Sequence, residues 1–309
     1  MKGKTGICAL TLEECELRES HLYPHFIWKF LKDNGGDKFR STNNPTEVLQ
    51  DGLKCFLLGH RAEQMFSKQE KWFAETIFKP FCNGNLYRYK VKYDERLYYF
   101  IVSLIWRICY YYKDNIIDIK VKNKCIVALE EWRNYLLHGT IPPTFHYIYL
   151  MPITPDLFFS PSLQVNPDFQ IPYAYYQSSK EEFYIINYYL LRAFDQEIFC
   201  DLADNCAFYC KTPRFFFWSV LERNNNQLNY GMRISPQGGK LDFKRYRIGN
   251  DDVKKYILGR IVKTNEVIER AVSKISEKAQ DKIVERTLNI TNLKDSELGR
   301  LLIEQSNVK

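Results

Sequence analysis

Apolar residues recur at three- and four-residue steps in three stretches of the chain. Each predicts a helix. The first runs over 61–78, with Ala62, Met65, Phe66, Phe73 and Ile77 in phase and Pro80 just past its end. The second runs over 93–112, where Leu97, Ile101, Leu104, Ile105 and Ile108 share a face and Asp94 stands at the cap position. The third runs over 122–137 and stops near Gly139. A shorter helix is predicted over 24–32, with Phe26, Ile27 and Phe30 on one side. Residues 251–286 are helical again, through Ile257, Ile261, Val262, Ile268, Val272 and Ile275.

After Gly139 the period changes. Seven prolines between Pro142 and Pro172 cut the chain into extended pieces. Runs such as 145–150 and Phe215-Phe216-Phe217-Trp218 read as strands. Gln237-Gly238-Gly239-Lys240 reads as a hairpin turn joining 232–234 to 241–243. Asp33–Asp37, Asn43-Asn44-Pro45 and Cys82–Asn85 read as loops. The expected fold class is α+β: a small N-terminal module over 1–81, a larger domain of helices and a mostly antiparallel sheet over 86–290, and a polar tail over 291–309.

Composition narrows this picture. The 309 residues are 45% hydrophobic and 26% charged, which supports a packed core and excludes a wholly disordered chain. The 22 Tyr and 21 Phe must be largely buried. No apolar run approaches the length that crosses a bilayer, and no secretory leader opens the chain, so a membrane is not an expected partner. Nine scattered cysteines fit a reduced cytoplasmic compartment, mostly as small core residues.

The formal net charge of +7 is concentrated in one window. Cys210–Gly249 holds eight Lys and Arg against two acids, interleaved with aromatic residues. Such a patch suits a polyanion, with cations on phosphates and exposed rings against unpaired bases. A solvated sheet face is the other reading. Arg214, Lys244, Arg245 and Arg247 are the expected contacts to DNA or RNA.

Two short motifs carry candidate chemistry: Ser20-His21-Leu22-Tyr23-Pro24, and Leu57-Leu58-Gly59-His60-Arg61-Ala62-Glu63 at the head of the first long helix. Their layout resembles a variant of the HNH (ββα-metal) nuclease family. That variant reads Cys-x-x-Cys, then Ser-His-x-x-Pro, then Leu-Leu-Cys-x-x-Cys-Glu. The stretches Arg96–Arg107 and Gly231–Ile234 also look similar to later segments of that family.

The resemblance implies a β-hairpin that presents His21 as general base towards a helix carrying metal ligands. Glu63 would be one ligand, with Ser67 and Glu70 on the same helical face. The ion would be Mg2+ or Mn2+. The implied activity is hydrolysis of DNA or RNA phosphodiesters, in bacterial defence or conflict with mobile elements.

The chain departs from the pattern at its zinc positions. Only Cys8 remains of the four expected cysteines, so a structural zinc is not expected. A shifted set of Cys8, Cys15, Cys55 and His60 has suitable ligand types, beside the plainer reading of core cysteines. Packing of Phe26, Phe56, Phe66 and Trp72 is expected to take over the metal's structural role. Ser20 stands where many members carry an acidic ligand, and Ser binds divalent ions poorly. The alternative function is therefore a degenerate HNH-like scaffold, without catalysis, that binds nucleic acid or a protein partner.

Overall fold

The computed structural model describes residues 4–35, 39–40, 48–49, 52–83, 90–141, 147–153, 189–200, 206–222, 230–243, 248 and 251–289. In chain order the strands are β1 (Lys4–Ile7), β2 (Glu14–His21), β3 (Phe39–Arg40), β4 (Val48–Leu49), β5 (Lys54–Gly59), β6 (Lys90–Tyr93), β7 (Tyr147–Pro152), β8 (Asp195–Cys200), β9 (Cys206–Thr212), β10 (Phe215–Glu222), β11 (Met232–Ile234) and β12 (Gly239–Asp242). The helices are α1 (His25–Asp33), α2 (His60–Phe73), α3 (Lys79–Cys82), α4 (Glu95–Tyr112), α5 (Ile119–His138), α6 (Asp251–Val272) and α7 (Glu277–Leu288). The chain is α+β, with antiparallel sheets throughout the described residues.

Two compact units divide the chain. One comprises residues 1–24, 53–158 and 194–250, and the other residues 25–52, 159–193 and 251–309.

In the first unit, β1, β2 and β5 form an antiparallel sheet in the order β1-β2-β5, and α2 starts at the residue after β5. A five-stranded antiparallel sheet has the order β11-β7-β10-β9-β8. β9 is buried along its whole length, the expected state of a strand covered on both faces. α4 packs against α2, α5 and strands β7, β9 and β10. It is buried nearly all round from Leu97 to Cys109, including Ser103 and Arg107, so the single apolar face expected for it is too narrow a description.

Its ends follow local chemistry. Asp94 Oδ1 accepts from the Arg96 N–H at 3.1 Å at the start of α4. Asp118 caps α5 by accepting from Lys120 and Val121, which places the start three residues earlier than the apolar spacing suggests. Gly139, at φ +71, closes α5 in the left-handed conformation.

The aromatic content forms the core of this unit. Phe73 stacks on Phe100 with ring centres 4.0 Å apart and meets Phe215 edge-on at 5.6 Å. Phe81 packs against Phe215 and Phe243. Phe56, by contrast, is 45% exposed and cannot serve as a substitute for a structural metal. Phe66 is buried, and Trp72 receives the Arg96 guanidinium over its ring.

Two sequence expectations are corrected here. Pro80 lies in the first turn of α3, not past the end of a helix. A π-helical turn, Ala74–Phe78, separates α2 from α3. Proline has no N–H to donate and crowds the carbonyl four residues back, and that carbonyl, of Thr76, lies inside the widened turn. Residues 232–234 and 239–242 do not pair with each other: β11 pairs with β7, while β12 pairs with β6. Tyr93 captures the turn between them. Its hydroxyl accepts from the Ser235 N–H at 3.0 Å, and a Cβ on Gly238 would lie 2.7 Å from the Tyr93 carbonyl oxygen. Gly238 is also at φ +89, so both space and backbone require glycine.

In the second unit, α1 buries Ile27, Trp28 and Leu31, so the face expected to carry Phe26 and Phe30 is rotated towards Trp28. Trp28 packs edge-on against Phe39, and its ring fills the space beside Gly52. Arg192 donates to the carbonyls of Leu31 and Asn34, closing the C-terminal end of α1. The helical stretch after 251 is two helices, broken at Ser273–Ser276.

Cys200 and Cys206 are joined by a disulfide across paired positions of β8 and β9, so these two are not thiols of the core. Among the described residues, no helix is long and apolar enough to cross a membrane. Residues 36–38, 43–45, 84–85, 142–146 and the tail 291–309 lie outside the described residues, with the loop, strand and tail expectations that fall on them.

Candidate functional site

The last residues of β2 and one face of α2 are brought together because α2 follows β5 without a linker and β5 pairs with β2. Ser20 stands opposite Cys55 and His21 opposite Lys54. An irregularity between Arg18 and Glu19 shifts the register, so Leu17 and Ser20, three residues apart, are both buried.

Ser20 is 3% exposed, and its hydroxyl donates to the Arg18 carbonyl at 3.2 Å. The Glu63 carboxyl lies beside it at the end of β2. Burial raises this carboxyl above the ordinary range, against the lowering effects of Ser20 and the Arg107 charge. Its Oε1 is buried without a hydrogen-bond partner among the described residues.

Arg107 of α4 completes the cluster. Its Nη2 donates to Glu70 Oε1 at 2.6 Å, its Nη1 to the His21 carbonyl at 3.4 Å and its Nε to the Ser103 carbonyl at 3.2 Å. The guanidinium lies 5.1 Å from the centre of the Phe66 ring. It is 3% exposed, and Glu70 17%. One buried cation thus touches the backbone of His21 and the carboxylate of Glu70, and its field reaches Glu63. The His21 carbonyl and the Glu70 carboxylate meet on it beside Glu63; His21 and Glu63 are named from the two motifs, and Glu70 from helical spacing. Ser67, expected on the same face, is exposed and donates to the Gln64 carbonyl on its own helix.

Arg107 is the residue that sequence reasoning missed. In the sequence it is only an interruption of the apolar run 98–112. A single cation on a helix otherwise buried all round is nonetheless a signal, because such a charge needs a partner inside the protein.

Of the shifted zinc set, Cys8, Cys15 and His60 line one cavity at the start of α2, whereas Cys55 sits by Arg107 and Glu63. Burial pushes the Cys55 thiol up to about 11. Among the described residues, no three His, Cys, Asp or Glu side chains are grouped so as to hold a metal ion. The four nominated ligands are thus divided between two places.

The expected nucleic-acid contacts fare differently from one another. Lys244, Arg245 and Arg247 lie outside the described residues. Arg214 is half-buried at φ +77, and its guanidinium is hydrogen-bonded to the Cys82 thiol. Lys211 is fully buried opposite Asp195, and burial lowers its pKa well below the ordinary lysine value despite that carboxylate. Phe215, Phe216, Phe217 and Trp218 are all core residues and cannot stack on bases. The described aromatic residues of the basic window are therefore structural.

No family model, curated protein or solved structure matches this chain. The likeness to HNH nucleases rests on the quoted motifs alone.

Proposed function

We propose that the cluster around Arg107 is the reaction centre of a metal-dependent phosphodiesterase of HNH type, acting on DNA or RNA in the cytoplasm. The observation that carries this reading is the contact of one buried guanidinium with both the His21 carbonyl and Glu70, beside Glu63. Buried charges are costly to desolvate even when paired, so a set of them withdrawn from water favours a functional role.

The donors offered to a small hard cation are the two carboxylates of Glu63 and Glu70, with no third ligating side chain grouped beside them among the described residues. Mg2+ takes one or two carboxylates and keeps waters and substrate phosphate for the rest of its shell. Glu63, with an unengaged buried oxygen, would hold the ion, with Glu70 beside it. When bound, the ion supplies positive charge for the phosphate and its leaving oxygen. In this reading His21 takes the proton from the attacking water. Arg107 is a positioning residue: it fixes the end of β2 against α2 and thereby the distance from His21 to the carboxylates.

A second reading has its own observation. The Arg107 cation already satisfies Glu70, and Ser20 replaces an acidic ligand. A scaffold that binds nucleic acid or a protein partner without cleaving would show both.

Cleavage of single- and double-stranded DNA and RNA, with and without Mg2+ or Mn2+, separates the two. The enzyme reading expects metal-dependent cleavage that His21→Ala lowers by about 10²–10⁴-fold with the fold intact by circular dichroism. Binding without cleavage by the wild type, or equal cleavage by His21→Ala, overturns it.

A further inference from the structure

A second site lies at the other end of the β1–β2 pair, independent of the reaction proposed above. Gly59 ends β5 and is the N-cap of α2, with no side chain to cap the helix. The Cys8 sulfur takes that place. The Gly59 N–H donates to Cys8 Sγ at 3.4 Å, and polar groups of Leu10 and Thr11 lie near the same sulfur. Burial acts against a thiolate here, but these groups outweigh it and hold the Cys8 thiol below its ordinary value.

Cys15 on β2 is the neighbour of that sulfur and interacts with it electrostatically. The two cysteines close around the same glycine: a Cβ on Gly59 would lie 2.5 Å from Cys15 Sγ and 3.8 Å from Cys8 Cβ. Both line a cavity of about 310 Å³ together with Arg18, His60 and Arg61. Cys8 itself is only 1% exposed, so a reagent that reaches it must be small. Burial and the neighbouring Cys8 raise the Cys15 thiol, as suits a second, resolving thiol.

We propose that Cys8 and Cys15 are a peroxide-oxidised dithiol site, with Cys8 attacking and Cys15 resolving. The Cys8 thiolate attacks one oxygen of hydrogen peroxide. The O–O bond breaks, Cys8 becomes a sulfenic acid, and the released hydroxide leaves as water after taking a proton. The Cys15 sulfur then attacks the Cys8 sulfur, the S–O bond breaks, and the second oxygen leaves as water. In sum, two thiols and one peroxide give one disulfide and two waters. Excess thiol reverses the bond. The cross-link forms where α2 begins, so oxidation withdraws the sulfur that accepts from the Gly59 N–H.

The test uses the full-length protein, reduced and then given hydrogen peroxide in stoichiometric amount, followed by non-reducing peptide mass spectrometry. The expected main product is a Cys8–Cys15 cross-linked peptide that dithiothreitol reverses. In Cys15→Ser, Cys8 should stop at the sulfenic acid and be captured by dimedone about tenfold faster than Cys55. Oxidation that begins at Cys55 or Cys82 and leaves Cys8 and Cys15 unlinked in the wild-type protein overturns the proposal. The wild-type measurement does not depend on whether a variant folds.

Discussion

Arg107 and Glu70 are joined at 2.6 Å between two helices, with both groups largely withdrawn from water. The pair is a charged link between α4 and α2, on the helix that carries Glu63.

Breaking this pair on one side should be costly. Arg107→Met leaves a buried carboxylate without its cation, for an expected loss of about 3–5 kcal/mol in denaturant unfolding. Arg107→Met with Glu70→Gln should recover most of that, because the unpaired charge is gone. A double variant as unstable as the single one would mean that the ion pair is not the source of the loss.

Glu63 gives a pH dependence with a definite sign. Its folded-state carboxyl is raised, so the folded protein holds the proton more tightly than the unfolded chain. The contribution to stability is present below the unfolded value, about pH 4.3, and is lost as pH rises through the folded value. Glu63→Gln removes this loss. Its stability relative to wild type should therefore be higher at pH 7.5 than at pH 4, by denaturant midpoint at each pH. A difference that runs the other way would show that the raised carboxyl is not at this position.

Gly59→Ala should destabilise by about 1–3 kcal/mol, because the new methyl overlaps the Cys15 sulfur. The backbone there, at φ −79, accepts any residue. Cys15→Ala in the same chain should therefore relieve most of the cost. A double-mutant cycle in thermal unfolding reads the coupling, and additive effects would place the strain elsewhere.

Replacing Lys244, Arg245 and Arg247 with Ser should weaken binding to nucleic acid and flatten its salt dependence, by about 0.9 in the log–log slope per lost phosphate contact on duplex DNA. Phe216→Leu, a substitution in the core, should lower the melting temperature and leave the slope unchanged. Unchanged affinity and slope in the triple variant would leave this segment an ordinary solvated surface.

Local signals were the legible part of the fold. Asp94 and Gly139 mark helix ends with their own side chain or backbone, and the spacing of Leu97, Ile101, Leu104 and Ile108 is enough to read α4. Partners distant in the chain were not legible. Nothing near Gly239 announces that it pairs with Tyr93 and not with the strand just before it. Lys211 reads as surface charge until Asp195 is placed opposite it. For the candidate site, the sequence supplied Ser20, His21 and Glu63 through the motif resemblance, and Glu70 through helical spacing from Glu63. The cation that gathers them lies on a third segment, and its role depends on burial that a sequence does not display.

The π-helical turn at Ala74–Phe78 constrains how chain length can vary in this region. It holds one residue more than an α-helical turn, so deleting exposed Glu75 would leave a continuous hydrogen-bonded ladder. A five-residue π turn covers nearly the same rotation and rise as four α-helical residues, so the deletion would leave Phe78 and Phe81 facing Phe215. The turn absorbs one residue locally, and the length of the chain can change by one at Glu75 without moving the Phe81 ring.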